Sequence, residues 1–204
     1  MKKIKYSVIV FDLGNVLINY NYTLTANLVE KVEKGFGQKF LDFFSNHFDI
    51  VKKLEKGEIG SDDFIDKLSI VFENKINKND ICQFYSDVFI PNEEMISLLP
   101  QLKSKYKLVL MSNTNEIHKE YSWGKYDFIK YFDKMILSHE VKFAKPEEGI
   151  YKAVMKFTQC PPDEHFYIDD YLSFIEAGKE IGWDAVQFTN FNKLMEELKI
   201  RSIL

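Results

Sequence analysis

Cysteine, clustered positive charge and long apolar runs are all scarce in this chain of 204 residues. The two cysteines, Cys82 and Cys160, have no paired spacing, so the sequence supports neither a zinc-ligand set nor a disulfide framework, and a reducing, cytoplasmic setting is expected. A net charge of −4 with scattered lysines argues against a nucleic-acid surface. The apolar runs are too short for a membrane span or a signal sequence. Without heptad repeats, we expect a monomer whose partner is a small molecule.

The order of apolar patterns predicts an α/β fold with a doubly wound parallel sheet. Buried strands are expected at residues 5–11, 107–111, 135–137, 166–168 and 185–188, with helices between the later ones. Helical periodicity fills residues 25–88, which is too much chain for one crossover connection. We therefore predict a Rossmann-like core formed by residues 1–18 and 90–204, and an inserted helical cap formed by residues 19–89.

The first predicted strand ends in Asp12, and Gly14 follows it at a position where a tight turn is needed. In open α/β sheets, ligands bind beyond the carboxyl ends of the strands. Asp12 would then be a carboxylate at the mouth of a site. An aspartate in this position is also a common turn residue, so the argument needs support from other strands.

Polar residues follow three more of the predicted elements: Ser112 with Asn113, Lys145, and Asp169 with Asp170. Clustered carboxylates are ligands for a hard cation such as Mg²⁺. A hydroxyl and a lysine can bind phosphate oxygens, and a carboxylate can act as a covalent nucleophile. Alone, Ser112 could be a helix cap and Lys145 a surface residue, but the combination indicates phosphoryl chemistry.

Four segments resemble the motifs of the haloacid dehalogenase-like (HAD) hydrolase superfamily, over essentially the whole chain. They are Phe11-Asp12-Leu13-Gly14-Asn15-Val16, Leu110-Met111-Ser112-Asn113-Thr114-Asn115, Lys145-Pro146-Glu147 and Ile168-Asp169-Asp170. The helical insertion has the place and size of that superfamily's small cap. The first motif, and Lys56-Gly57-Glu58-Ile59 in the cap, are similar to the branch of bacterial α-D-glucose-1-phosphate phosphatase.

The resemblance implies an Mg²⁺-dependent phosphomonoesterase that acts on a small phosphorylated metabolite, such as a sugar phosphate, through an aspartyl phosphate. Asp12 would attack phosphorus. The metal would be bound by Asp12, the backbone carbonyl of Gly14 and Asp170, with Asp169 in support. Ser112, Asn113 and Lys145 would hold the phosphate group.

Three positions depart from the pattern of the superfamily. Gly14 replaces a second aspartate that serves most of its phosphatases as general acid and base, Ala144 replaces a basic residue, and Phe174 stands where a supporting asparagine is usual. Because of these departures, an alternative function remains: a protein of this superfamily that binds a phosphate ligand or has a regulatory role and has lost turnover. A dehalogenase using Asp12 is less favoured, because that reaction needs no metal. His118 could replace the missing proton donor, although a histidine on a helix more often has no such role.

Overall fold

The computed structural model describes residues 5–204 and contains a five-stranded parallel sheet and a two-stranded antiparallel ribbon. The strands are β1 (Val8–Phe11), β2 (Ile18–Tyr20), β3 (Phe89–Pro91), β4 (Lys107–Ser112), β5 (Lys134–Leu137), β6 (His165–Asp169) and β7 (Asp184–Gln187). The order in the parallel sheet is β5-β4-β1-β6-β7. β1 is therefore central, and its carboxyl end lies between those of β4 and β6.

Eleven α-helices accompany these strands within residues 5–204. They are α1 (Tyr22–Val32), α2 (Phe36–Asn46), α3 (Phe48–Glu55), α4 (Ser61–Val71), α5 (Lys78–Ser86), α6 (Glu93–Lys103), α7 (Glu116–Tyr121), α8 (Ser138–Val141), α9 (Glu148–Thr158), α10 (Leu172–Glu180) and α11 (Phe191–Ile200). In this part of the chain, none of them is long and apolar enough to cross a membrane.

Helices cover both faces of the parallel sheet. Side chains alternate between the two faces along each strand, so neighbouring residues of a strand pack against different helices. Ile9 and Phe11 pack with the apolar residues of α6 and α11, whereas Val8 and Val10 pack with those of α9 and α10. Burial on both faces explains why the strands are continuous apolar runs rather than alternating ones. The predicted doubly wound α/β fold is confirmed, although β1 begins three residues later than expected.

Helices α1–α5 enclose an apolar cluster of their own, which is rich in aromatic rings. Phe40 packs against Phe44 with ring centroids 4.6 Å apart, and Phe64 packs against Tyr85 at 5.0 Å. Phe72 and Ile76, in the connection between α4 and α5, and Ile117 of α7 are also buried in this cluster. The helical cap at 19–89 and the core at 1–18 and 90–204 stay predictions as domain boundaries, and residues 1–4 lie outside the described residues.

The ribbon of β2 and β3 was not predicted from the sequence. Ile18 pairs with Pro91 and Tyr20 pairs with Phe89, so the chain entering the helical insertion is hydrogen-bonded to the chain leaving it. Asn92 adds a further link, because its side-chain amide donates to the carbonyl of Val16 at 3.0 Å. The insertion is thereby joined to the sheet beside the carboxyl end of β1.

Candidate active site

Three carboxylates meet at the carboxyl ends of β1 and β6. Asp12 directly follows β1, Asp169 is the last residue of β6, and Asp170 is next along the chain. One oxygen from each lies within 4.8 Å of the others. Asp12 and Asp169 are buried and Asp170 is half-buried. The parallel pairing of β1 with β6 brings them together, because Phe11 and Ile168 are at the same level of the sheet.

Lys145 lies between two of these acids. Its Nζ donates to Oδ1 of Asp12 and to Oδ2 of Asp169, both at 2.6 Å. The lysine is buried, which by itself would lower its pKa, but the charges and hydrogen bonds of the two carboxylates outweigh that effect and raise it. The ammonium group therefore stays positively charged.

Asn113 fixes the backbone of Lys145. Its Nδ2 donates to the carbonyl of Lys145 at 3.0 Å, and its Oδ1 accepts the Lys145 N–H at 2.7 Å. On the other side, the ammonium lies 5.1 Å from the ring centroid of Phe174, within the range of a cation–π contact. Phe174, where an asparagine is usual, thus still contacts the site through Lys145.

The acids from β6 are oriented by specific donors. The hydroxyl of Tyr167 donates to Oδ2 of Asp169, and the backbone N–H of Tyr171 donates to its Oδ1 at 2.8 Å. Asn15 donates from Nδ2 to Oδ2 of Asp170 at 3.0 Å. Asn15 has φ 54°, in the left-handed region that asparagine tolerates better than most residues. Gly14 does not have a positive φ, so the left-handed conformation in this turn falls on Asn15 and not on the glycine.

Burial governs the protonation of the acids. Desolvation is the largest influence on Asp12 and raises its pKa, the charges of Asp169 and Asp170 raise it further, and Lys145 opposes them. Desolvation also raises the pKa of Asp170, against the hydrogen bond from Asn15. When they are ionised, these three acids around one lysine leave an excess of negative charge in a site of low dielectric constant, which is the reason the neutral forms of Asp12 and Asp170 are favoured without a cation.

This donor set fits a divalent cation. Carboxylate oxygens are the ligands that Mg²⁺ prefers, and a bound cation would offset the excess charge of Asp12, Asp169 and Asp170. Gly14 is half-buried between Asp12 and Asn15, at the turn beside the cluster. The predicted contribution of its carbonyl oxygen is compatible with that place and stays a prediction.

The two remaining predicted residues lie at the same edge of the sheet. Ser112 is buried at the end of β4, and within residues 5–204 its hydroxyl has one polar contact, a long one of 3.5 Å to the carbonyl of Asn113. The side chain of Asn113 is already engaged with Lys145. Of the predicted set, direct contacts therefore join Lys145 to Asp12 and Asp169, whereas Ser112 and Asn113 are neighbours whose role toward phosphate stays a prediction.

His118 is placed as a packing residue. It is buried, it stacks on Tyr85 with ring centroids 4.1 Å apart, and it meets the edge of Phe89. Its Nδ1 has no hydrogen-bond partner among the described residues. Burial lowers its pKa to about 3, so the ring is neutral at physiological pH. It therefore lacks the acidic imidazolium proton that a general acid would donate to a leaving group.

Sequence reasoning missed several residues that shape this site. Tyr167 and Asn15 orient the acids, and each lies within three residues of a recognised motif aspartate, so motif proximity was an available signal. Glu55, at the end of α3, is half-buried, and the positive charge of Lys145 acts to lower its pKa. Nothing in the helical pattern of residues 48–55 distinguishes it from an exposed glutamate.

Comparison with known proteins gives a consistent result. The family model described as haloacid dehalogenase-like hydrolase matches residues 9–188. A D-ribitol-5-phosphate phosphatase of Bacteroides thetaiotaomicron is 25% identical over 202 residues, covering 94% of this chain and 96% of the relative. A phosphorylated carbohydrates phosphatase of Thermotoga maritima is 24% identical over 179 residues, covering 87% of this chain and 82% of the relative.

The structural comparison agrees with the sequence comparison. A crystal structure of a HAD family enzyme from Bacteroides thetaiotaomicron, in complex with magnesium and inorganic phosphate, has a TM-score of 0.75 at 27% identity. The match covers 90% of this chain and 94% of that one. The fold is thus shared along nearly the full length of both proteins.

Proposed function

Since the chain belongs to the haloacid dehalogenase-like hydrolase family, we propose that it is an Mg²⁺-dependent phosphomonoesterase for small phosphorylated carbohydrates or polyols. The two relatives described above, which are named as phosphatases of such compounds, support the substrate class. The glucose-1-phosphate branch suggested by the first motif stays a prediction within that class.

The observation that carries this proposal is the contact of Lys145 with Asp12 inside the cluster of three acids. A nucleophilic carboxylate needs a neighbouring positive charge where the phosphoryl oxygens will lie. Lys145 Nζ, 2.6 Å from Oδ1 of Asp12, provides that charge. The negative charge of the three acids that Lys145 does not neutralise would be neutralised by a divalent cation.

In the proposed reaction, an oxygen of Asp12 attacks phosphorus and the alcohol leaves, which forms an aspartyl phosphate. Water then attacks phosphorus, the bond to Asp12 breaks, and inorganic phosphate is released. Lys145, Ser112 and the backbone at Asn113 hold the phosphoryl oxygens. Asp12, Asp170 and the Gly14 carbonyl, with Asp169 in support, would hold Mg²⁺, which would neutralise charge on the phosphoryl group.

The helical insertion gives this site a lid-like cover that excludes bulk water and selects the substrate. Lys56 of the insertion pairs with Glu147, two residues after Lys145, at 2.7 Å. Tyr20 is exposed by 39% of its surface, beside Tyr22 at a centroid distance of 5.9 Å. These two rings provide an apolar surface on which a carbon skeleton can pack. A monomeric, cytoplasmic protein stays our prediction.

The test is phosphate release from a panel of sugar phosphates, polyol phosphates and p-nitrophenyl phosphate, with Mg²⁺ or with EDTA. The wild type is compared with Asp12→Asn, and with Asp163→Asn as the matched change at an exposed site. Release that needs both Mg²⁺ and Asp12, and that survives in the Asp163 variant, is the expected result.

The other outcomes would each contradict the proposal. Halide release from 2-haloacids in EDTA would indicate a dehalogenase. Binding of inorganic phosphate without any turnover, including of p-nitrophenyl phosphate, would indicate the binding or regulatory protein that Gly14 and Ala144 leave open.

A further inference from the structure

The proposed reaction lacks a proton donor among the core residues already described. Position 14, two residues after the nucleophile, is a glycine, and His118 is neutral and stacked in an apolar place. A carbohydrate alkoxide is a poor leaving group, so its departure depends on protonation, which contributes roughly 10²–10⁴-fold to such steps.

We propose that Glu55 of the helical insertion is the general acid and general base of this site. The inference rests on the proposed phosphatase function, and it places one catalytic residue on the element that covers the nucleophile. The insertion would then complete the catalytic machinery in addition to selecting the substrate.

Two contacts with the core fix the position of Glu55. The hydroxyl of Ser138, the first residue of α8, donates to the backbone carbonyl of Glu55, and the same hydroxyl accepts the backbone N–H of Thr114 at 3.0 Å. The next residue, Lys56, pairs with Glu147 at 2.7 Å. Residue 55 is thus held between the loop after β4 and the loop that carries Lys145.

The side chain of Glu55 is free for such a role. Its carboxylate accepts no hydrogen bond from any group within residues 5–204, and it is half-buried. The charged or titratable groups that face it are Lys145, Lys52, Tyr22 and Tyr85. The two tyrosines are neutral, since burial and the charge of Glu55 raise their pKa values well above the ordinary range.

This environment favours the protonated form of Glu55. Loss of hydration is the largest influence and raises its pKa to about 7, and the positive charges of Lys145 and Lys52 only partly oppose it. A glutamate that is half protonated at neutral pH can both give and take a proton. An ionised carboxylate here would repel a phosphate group held by Lys145, whereas a protonated one would not.

Two proton transfers follow, and they balance. In the first step the Asp12–phosphorus bond forms, the bond from phosphorus to the ester oxygen breaks, and Glu55 gives its proton to that oxygen, so a neutral alcohol leaves. In the second step the ionised Glu55 takes a proton from water as the water oxygen attacks phosphorus. The bond to Asp12 then breaks, and the enzyme returns to its starting state.

The experiment compares leaving groups under single-turnover conditions in Mg²⁺. Glu55→Gln keeps the shape of the side chain and cannot donate its proton as an acid. We expect its first-step rate to fall at least about 100-fold with an alkyl phosphate from the active panel, and less than about tenfold with p-nitrophenyl phosphate. With the latter substrate, the variant should show a burst of one equivalent of p-nitrophenol before a slow steady state.

Glu58→Gln is the matched control, because it makes the same change at an exposed residue of the same segment. Equal losses with both substrates, or no loss, would overturn the role of Glu55. A wild type that hydrolyses neither substrate would instead refute the proposed phosphatase function.

If Glu55→Gln does not fold, the pH dependence of the wild type decides the matter. The ratio of the alkyl to the p-nitrophenyl first-step rate should fall above about pH 7, where Glu55 loses its proton. A ratio that is constant from pH 6 to pH 8.5 would overturn the role, since both substrates share the same nucleophile and the same metal.

Discussion

The side chain of Asn113 spans the backbone of Lys145, accepting its N–H at 2.7 Å and donating to its carbonyl at 3.0 Å. The two residues are far apart in sequence, yet this pair of hydrogen bonds holds the loop that presents the ammonium to Asp12. The side-chain amide of Asn113 therefore positions Lys145.

Asn113→Ala should weaken both the fold and the activity. It removes two hydrogen bonds, each worth about 0.5–1.5 kcal/mol, so the free energy of unfolding should fall by roughly 1–3 kcal/mol. Phosphatase activity should fall further than stability alone explains, because Lys145 loses its position. Denaturant unfolding and phosphate release measure the two effects. Asn192→Ala, at an exposed site on α11, is the control, and identical behaviour of the two variants would contradict the role assigned to Asn113.

Lys145→Met should destabilise the metal-free protein. It leaves Asp12 and Asp169 buried without their positive partner, and breaking a buried ion pair in this way costs about 3–5 kcal/mol. Added Mg²⁺ should recover part of that loss, because the cation replaces the missing charge. Thermal unfolding in EDTA and in Mg²⁺ tests this, with Lys156→Met at an exposed position as the control. Equal melting temperatures of the two variants in EDTA would contradict the prediction.

His118→Phe should make stability less dependent on pH. The pKa of His118 is about 3 in the folded protein and near 6.5 when unfolded, so below pH 6.5 the unfolded chain binds a proton that the folded one does not. Stability from this residue is therefore complete above pH 7 and falls as the pH drops toward 3. Well below pH 6.5, the free energy of unfolding should decrease less steeply with falling pH in the variant than in the wild type. The two slopes should differ by about 1.4 kcal/mol per pH unit. Parallel curves between pH 7 and 4.5 would show that His118 is not buried in neutral form.

Gly14→Asp should fold and should compensate for the loss of Glu55. A Cβ at position 14 meets nothing nearer than the Tyr20 ring at 3.5 Å, an ordinary contact, so we expect a stability change within about 1 kcal/mol. In the Glu55→Gln background it should raise the alkyl phosphate rate at least about tenfold by restoring a proton donor. Gly14→Asn in the same background is the control. If the two variants have the same rate, the defect of Glu55→Gln is not a missing proton.

The sheet and its polar strand ends were predictable because the signals are local. Apolar runs such as Val8–Phe11 and Lys107–Ser112 specify buried strands by themselves. Asp12 and Asp169 then meet because parallel strands end at one edge. The acids and Lys145 could be grouped from motif order alone, and in the structure Lys145 contacts Asp12 and Asp169.

Features that depend on distant pairing could not be predicted from local patterns. β2 and β3 have three residues each and pair across the whole helical insertion, so neither has a signal of its own. Glu55 also has no local signal, because its environment depends on Ser138 and Lys145, which belong to other parts of the chain. Asn113 was assigned to phosphate because its motif places it there, and only the three-dimensional contacts reveal its bonds to Lys145.

The ribbon of β2 and β3 also has a consequence for how proteins of this design can diversify. Ile18–Tyr20 and Phe89–Pro91 pair at the base of the insertion, so they hold the entering and leaving chain side by side. The connection of the insertion to the parallel sheet is therefore the same for any length of chain between the two strands. The entropy of closing such a loop grows only with the logarithm of its length, about 0.6 kcal/mol for each doubling. Helices can therefore be added, lost or exchanged beyond the ribbon at small thermodynamic cost to the sheet. Selectivity can then change through the insertion while the nucleophile and its lysine stay as they are.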